Sequence, residues 1–181
     1  MSDDSLDHVR RVTDELQRGV RVCLADELTV PSLMILYGGM DAFAKLDLPS
    51  SREDVTRNDF NYWTDKYVTP NLSASCTAIE LYGARCAVLH GYGSESALSR
   101  EGKARQIWYA WGDKNAGELQ TLIQKAGKDK IAVALQVEEL VDAFGTGATA
   151  FLEEVSEDSR RAKVVATKGK KMFGHLVDPG P

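Results

Sequence analysis

The sequence predicts a mainly α fold: an antiparallel helical bundle with a small two-stranded β-ribbon in its second half. Three observations predict it. Apolar residues recur at three-to-four spacing through residues 1–95. The breaks between these stretches are short, which makes successive helices antiparallel neighbours. Only residues 105–111 and 131–137 alternate, or run apolar, in the manner of strands. At 181 residues, 43% hydrophobic and 27% charged, the composition is that of a globular chain able to build one core, which excludes disorder and fibrous repeats.

A first helix follows N-cap chemistry at Ser2 to Asp4 and turns Leu6, Val9, Val12, Leu16, Val20, Cys23, Leu24 and Leu28 to one side. Pro31 suits the first turn of a second helix, where it loses no intrahelical hydrogen bond. The stripe of that helix is Leu33, Leu36, Tyr37, Met40, Phe43 and Ala44, with Gly38 and Gly39 allowing close backbone approach, and 48–51 ends it. A third helix starts near Thr56, faces Phe60, Trp63 and Tyr67 inward, and stops at Pro70. A fourth covers about 73–90, with Leu72, Cys76, Ile79, Tyr82, Cys86 and Leu89 as its buried stripe. Beyond it come the two strand segments, a short helix at 116–126 between them, and a last helix at 137–166 weakened by Gly145 and Gly147. The expected organisation is one domain over 1–181: a bundle to 95, added elements at 105–166 and a basic tail at 167–181.

Charge narrows the function classes. Net charge is −5, from 22 Lys+Arg and 27 Asp+Glu, which disfavours an extended grip on nucleic-acid phosphates. A local or dimer-built phosphate site stays open. Residues 1–56 carry eleven acids and six bases, whereas 160–171 carry six bases and no acid, a run that reads as a solvated helix end or a place for phosphate. No apolar run nears the roughly 18 residues of a membrane span. The acidic start MSDDSLDHVRR matches neither a signal nor a transit peptide, so a cytoplasmic location is expected. Cys23, Cys76 and Cys86 lack CxxC spacing and read as isolated thiols. His8, His90 and His175 are far apart, so neither a metal centre nor a cofactor is expected.

Nucleotide-binding, zincin and hydrolase signatures are absent. What stands out is LYGARCAVLHGYG, in which Arg85 lies among apolar residues in the last turns of the fourth helix and His90 comes where Gly91 suits a left-handed helix stop. Five residues apart on an ideal helix is about 140° of rotation and about 7.5 Å of rise. A helix ending at His90, or a two-fold dimer packed along it, would bring the two groups together. Arg offers a permanently charged planar fork that fits phosphate, and His moves protons near neutral pH. The pair suits metal-free RNA cleavage, with the ribose 2′-OH as nucleophile, His90 moving its proton and Arg85 stabilising charge on the phosphoryl oxygens.

RCAVLH, Arg85 to His90, on the fourth helix of an α-bundle resembles the Rx4–6H motif of HEPN domains. The resemblance covers about residues 1–95. It implies a homodimer, RNA as substrate, metal-independent endoribonuclease activity of toxin–antitoxin or phage-defence type, catalytic roles for Arg85 and His90, and an antitoxin or nucleotidyltransferase-like protein as partner. Tyr92, Ser94 and Glu95, just past the motif, are the candidate substrate-binding residues; Tyr92 would stack on a base, or pack on its own bundle as a turn tyrosine. Ser94 and Ser96 also read as helix caps.

The alternative is a non-catalytic HEPN-like dimer that binds a protein or a nucleotide. Cys86, where the family commonly has a polar residue, and the −5 charge favour it. Arg85 would then bond a buried carboxylate such as Glu80, or the carbonyls ending a neighbouring helix. A thiol enzyme built on Cys86 and His90 is a third reading, opposed by the place of Cys86 on the apolar stripe.

Overall fold

The computed structural model describes residues 6–174, which form eight α-helices and two β-strands. The proposed N-cap at Ser2 to Asp4 and the tail from His175 lie outside these residues. Helix α1 (Asp7–Ala25) buries Val9, Thr13 and Val20 behind Leu6, and the Thr13 hydroxyl donates to the Val9 carbonyl at 2.8 Å. Three residues link it to α2 (Thr29–Asp47), with Glu27 at a left-handed φ of 59° making the turn. All six residues of the predicted α2 stripe are buried.

Helix α3 (Arg57–Tyr67) starts on a reciprocal cap. The Asp59 carboxylate accepts from the Thr56 backbone N–H at 2.8 Å, and Arg52 holds the same carboxylate through two nitrogens at 2.9 and 2.6 Å. Phe60, Trp63 and Tyr67 face inward, as their spacing predicts. A single 3₁₀ turn at Thr69–Asn71 follows.

Helix α4 (Ala78–Gly91) begins later than its apolar pattern suggests, because the start is set by a second capping pair, Thr77 with Glu80. Its buried face also differs. Leu81, Ala84, Ala87 and Val88 are buried, while Ile79, Tyr82, Cys86 and Leu89 are only half-buried. The large side chains misled: α4 packs against α2, α3, the short α5 (Ala97–Arg100) and a strand, and its Ala and Gly positions admit these neighbours closely.

Strands β1 (Gln106–Ala110) and β2 (Ala132–Gln136) pair in parallel, with Gln106 opposite Ala132. The expected ribbon is therefore a βαβ unit. Parallel strands need a crossover, supplied here by α6 (Ala116–Lys125), whose Ile123 packs on Ala132 and Ala134. The Tyr109 and Tyr37 hydroxyls meet at 2.5 Å and tie β1 to α2.

The single helix expected over 137–166 is two, α7 (Val137–Ser156) and α8 (Ser159–Phe173). The break falls not at Gly145 or Gly147 but at Asp158, whose carboxylate accepts from the N–H groups of Arg160 and Arg161 at 2.9 and 3.2 Å. Helix α8 thus takes up much of the predicted tail. Phe144 and Phe151 of α7 join Phe43 and Trp63 in an aromatic centre, so the bundle does not end at residue 95. Where Gly147 crosses α3, an added Cβ would overlap the Tyr67 carbonyl oxygen and sit 2.8 Å from its carbon. Across the same layer Glu154 accepts from Lys66 at 2.7 Å, Tyr67 at 2.8 Å and Arg161 at 2.6 Å, and Arg161 reaches Asp47 at 2.7 Å. No helix of the described residues is long and apolar enough to cross a membrane.

Two stability experiments follow from this packing. Gly147→Ala should lower unfolding free energy by about 3 kcal/mol in urea denaturation, because its clash is with backbone that cannot rotate away. Gly38→Ala meets nothing within 4 Å and should raise stability by about 0.5–1 kcal/mol through helix propensity. Equal effects would contradict the crossing geometry. Separately, hydrogen bonds from Lys66 and Arg161 lower the Glu154 pKa from its ordinary 4.5 to about 2. A depressed carboxylate stabilises the fold above its unfolded pKa and loses that contribution as pH falls through its folded pKa. Melting temperature should therefore drop between pH 4.5 and 2, and less steeply in Glu154→Gln. Parallel acid limbs would show the network to be inert.

Candidate functional site

The site grows out of the meeting of α2 and α4. Asp41 is the only acid between Thr29 and Leu46 in a mostly apolar stretch of α2 that also holds Lys45, and its half-buried carboxylate takes a cation as partner. Arg85 supplies it. Its Nε donates to Asp41 Oδ2 at 2.8 Å and its Nη2 to the same oxygen at 2.5 Å, with both side chains about four-fifths covered, 20% and 23% exposed. Burial alone would lower the Arg85 pKa; the Asp41 carboxylate more than offsets it and holds the guanidinium above its ordinary range.

With Nε and Nη2 engaged, Nη1 is the end of the fork left to point elsewhere, and it lies 3.0 Å from His90 Nε2. A guanidinium only donates, so in this geometry Nε2 accepts and the imidazole proton sits on Nδ1. The Cys86 sulfur is 3.8 Å from the same Nη1, a weaker contact, and the Tyr82 ring lies under the guanidinium at 5.9 Å. Arg85 and His90 thus come together within one chain. They do so without the helix ending between them: α4 runs through His90 to Gly91. The reach is therefore in the side chains.

The left-handed position falls one residue later than the glycine pattern suggests, on Tyr92 at φ 49°. A non-glycine residue there costs roughly 1 kcal/mol. Gly93 closes the turn by donating to the Ala87 carbonyl at 3.2 Å. The Tyr92 ring does not pack on the bundle; the residue is 72% exposed. Ser94 and Glu95 are exposed as well, with Glu95 accepting from the Gln106 amide at 3.4 Å. Among the described residues no hydrogen bond joins Tyr92, Ser94 or Glu95 to Arg85 or His90. Ser96 caps α5, accepting from the Ser99 N–H at 3.2 Å. Glu80 is not the partner of Arg85: it binds Arg105 at 2.5 Å, bringing the start of β1 onto α4.

Arg85 forms part of the wall of a cavity of about 360 Å³, together with Asp41, Lys45, Thr56, Tyr82 and Met172. His90 is exposed and touches Arg85 but is not part of the cavity wall. Its wall holds two cations, Arg85 and Lys45, beside the Tyr82 ring, and three carboxylates, Asp41, Glu53 and Asp54, so its donors for an anion are set among acids. Among the described residues no three His, Cys, Asp or Glu side chains gather to hold a metal ion.

Asp41 is the member of this candidate site that periodicity did not single out, although one signal marked it: a lone acid in a mostly apolar helix. A double-mutant cycle of Asp41→Asn and Arg85→Gln should give a coupling of about 1–2 kcal/mol in chemical denaturation. A coupling near zero would mean that the pair does not brace α2 against α4. Comparison of the chain with family models, with curated proteins and with solved structures finds no match, so the reading of this site rests on its own geometry.

Proposed function

We propose that the protein is a HEPN-like, metal-independent endoribonuclease acting in the cytoplasm as a homodimer, with Arg85 and His90 as its catalytic residues. The observation that carries the reading is the 3.0 Å approach of Arg85 Nη1 to His90 Nε2, Arg85 itself lying in the wall of a cavity that Lys45 shares with the acids Asp41, Glu53 and Asp54. Asp41 takes Nε and Nη2 and so aims Nη1. A substrate phosphate entering the cavity draws Nη1 to its oxygens and frees the Nε2 lone pair. His90 then takes the proton of the ribose 2′-OH, O2′ bonds to phosphorus, and the bond from phosphorus to O5′ breaks. The products are a 2′,3′-cyclic phosphate and a 5′-OH, the departing O5′ collecting a proton from the medium or from the second His90 of the dimer. Arg85 stabilises the charge that builds on the phosphoryl oxygens.

The full neutralisation of Arg85 by Asp41 supports a second reading, a non-catalytic dimer that binds a nucleotide or a protein. One experiment separates the two. Purified protein in EDTA should cleave structured RNA to cyclic-phosphate ends, with the rate falling by at least about 100-fold in His90→Ala and in Arg85→Ala. A single 2′-deoxy substitution at the cut position should abolish cleavage there. Equal background cleavage by the wild type and both variants would leave the binding module as the reading.

A further inference from the structure

Beside the Arg85 cavity lies a larger one of about 560 Å³, between α8 and the segment that leaves α2. Its α8 wall is one helical face, in which Arg160, Lys163, Val164, Thr167, Lys168 and Lys171 follow three-to-four spacing. The opposite face of α8 is the buried one, with Ala162, Val165, Ala166, Gly169 and Phe173 in the core. Lys45 and Arg52 complete the cationic lining, and Glu53 is its only acid.

These six cations are not equivalent. Arg52 is held by Asp59, and Lys171 by Glu53 at 2.7 Å between two widely exposed side chains. Lys168 is tied down, its Nζ donating to the carbonyls of Lys45 at 3.1 Å and Leu48 at 2.6 Å where α2 ends. Lys45, Arg160 and Lys163 have no acidic partner among the described residues. The excess shows on Lys168, whose pKa is lowered by burial and then by the nearby Lys45 charge. A protein of net charge −5 therefore keeps a concave surface of uncompensated positive charge. The stems of these side chains, with Val164 and Met172, make its floor apolar.

Lys45, Glu53 and Met172 belong to both cavities, so the groove opens onto the cavity that holds Arg85. We propose that this groove is the strand-binding track of the protein: it holds the phosphates of single-stranded RNA on Lys45, Arg160 and Lys163 and leads the chain to Arg85. The identity of the ligand rests on the ribonuclease reading; the binding of a polyanion does not. Phosphates sit on the cationic rim, and sugars and base faces lie on the apolar floor, a division of labour usual in single-strand binding. Lys171 leaves Glu53 for a phosphate as the strand enters, since an ion pair exposed on both sides costs little to break. An acidic protein segment would satisfy the rim but would have no reason to continue into the Arg85 cavity.

The test uses the full chain and a fluorescent, 2′-O-methylated oligoribonucleotide of about 12 nucleotides, which binds without being cut. Binding is followed by anisotropy over a range of salt. Arg160→Glu with Lys163→Glu should weaken binding at least about tenfold and flatten the slope of log Kd against log salt by about 1.4, two phosphate contacts at about 0.7 each. Lys125→Glu with Lys130→Glu makes the same charge change elsewhere and should leave both within about twofold. Both pairs avoid buried positions, and matching circular dichroism and melting curves confirm folding. Equal weakening by the two pairs would overturn the groove in favour of overall charge. Displacement of the oligonucleotide by polyglutamate of matched charge as readily as by RNA would overturn it in favour of an acidic protein. Failure of the groove and failure of the ribonuclease reading are separable. Cleavage that needs Arg85 and His90 while the groove variant binds normally removes the track alone. Loss of binding in the groove variant, with no cleavage by the wild type, removes the catalytic reading alone.

Discussion

The half-buried ion pair of Asp41 and Arg85 links α2 to α4, and much of the arrangement around α4 follows from it. Asp41 follows the buried Met40 but lies on the half-buried side of the helix with Ala42 and Lys45, where Arg85 meets it. Pairing with Arg85 fixes how α4 lies against α2. It also spends two of the three guanidinium nitrogens, and the third is left to meet His90. One pairing thus serves the fold and the site together. Cys86 is a bystander in this geometry: its sulfur takes a long contact from the same nitrogen but does not displace the imidazole.

The second half of the chain works as a clasp on the first. Helix α7 lies among α1, α2, α3 and α8, and its Phe144 and Phe151 add ring contacts to the Phe43–Trp63 pair. The ion network of Glu154 and Arg161 joins α2, α3, α7 and α8 in one layer. Helix α4 is treated similarly from the other side, where Arg105 reaches Glu80 and the carbonyl of Ser75, attaching the βαβ unit to its first turn. Charged groups here act at the joints between elements, and the apolar interior is left to the aromatic centre.

Much of this was legible in the sequence where side-chain size and burial agree. In α2 the large residues are the buried ones, and the stripe read from spacing is the stripe seen. In α4 they disagree. Its closest neighbours approach over Gly83, Ala84 and Ala87, so the small residues are inside and Tyr82 and Cys86 are half outside. Periodicity weighted by hydrophobic bulk points the wrong way in such a helix. The strand segments were recognisable, but their direction was not, because direction depends on whether the residues between them form a crossover or a turn. Gly147 looked like a weak point in its helix when considered alone. Its reason is the backbone of α3, which no local pattern can reveal. Arg85 and His90 were visible as a pair; Asp41, 44 positions before Arg85, was visible only as an anomaly in its own helix.

The walls of the basic groove come from distant parts of the chain. Lys171 and Glu53 are 118 positions apart, and Lys168 and Leu48 are 120. Contacts of such separation form late, because the loop between them must be closed before they contribute anything. During synthesis the Arg85 segment leaves the ribosome long before α8 does. A nascent chain therefore carries the Arg and His without the surface beside them, and that surface is assembled only after α8 has emerged. The order of synthesis thus keeps the positive groove unformed until α8 docks.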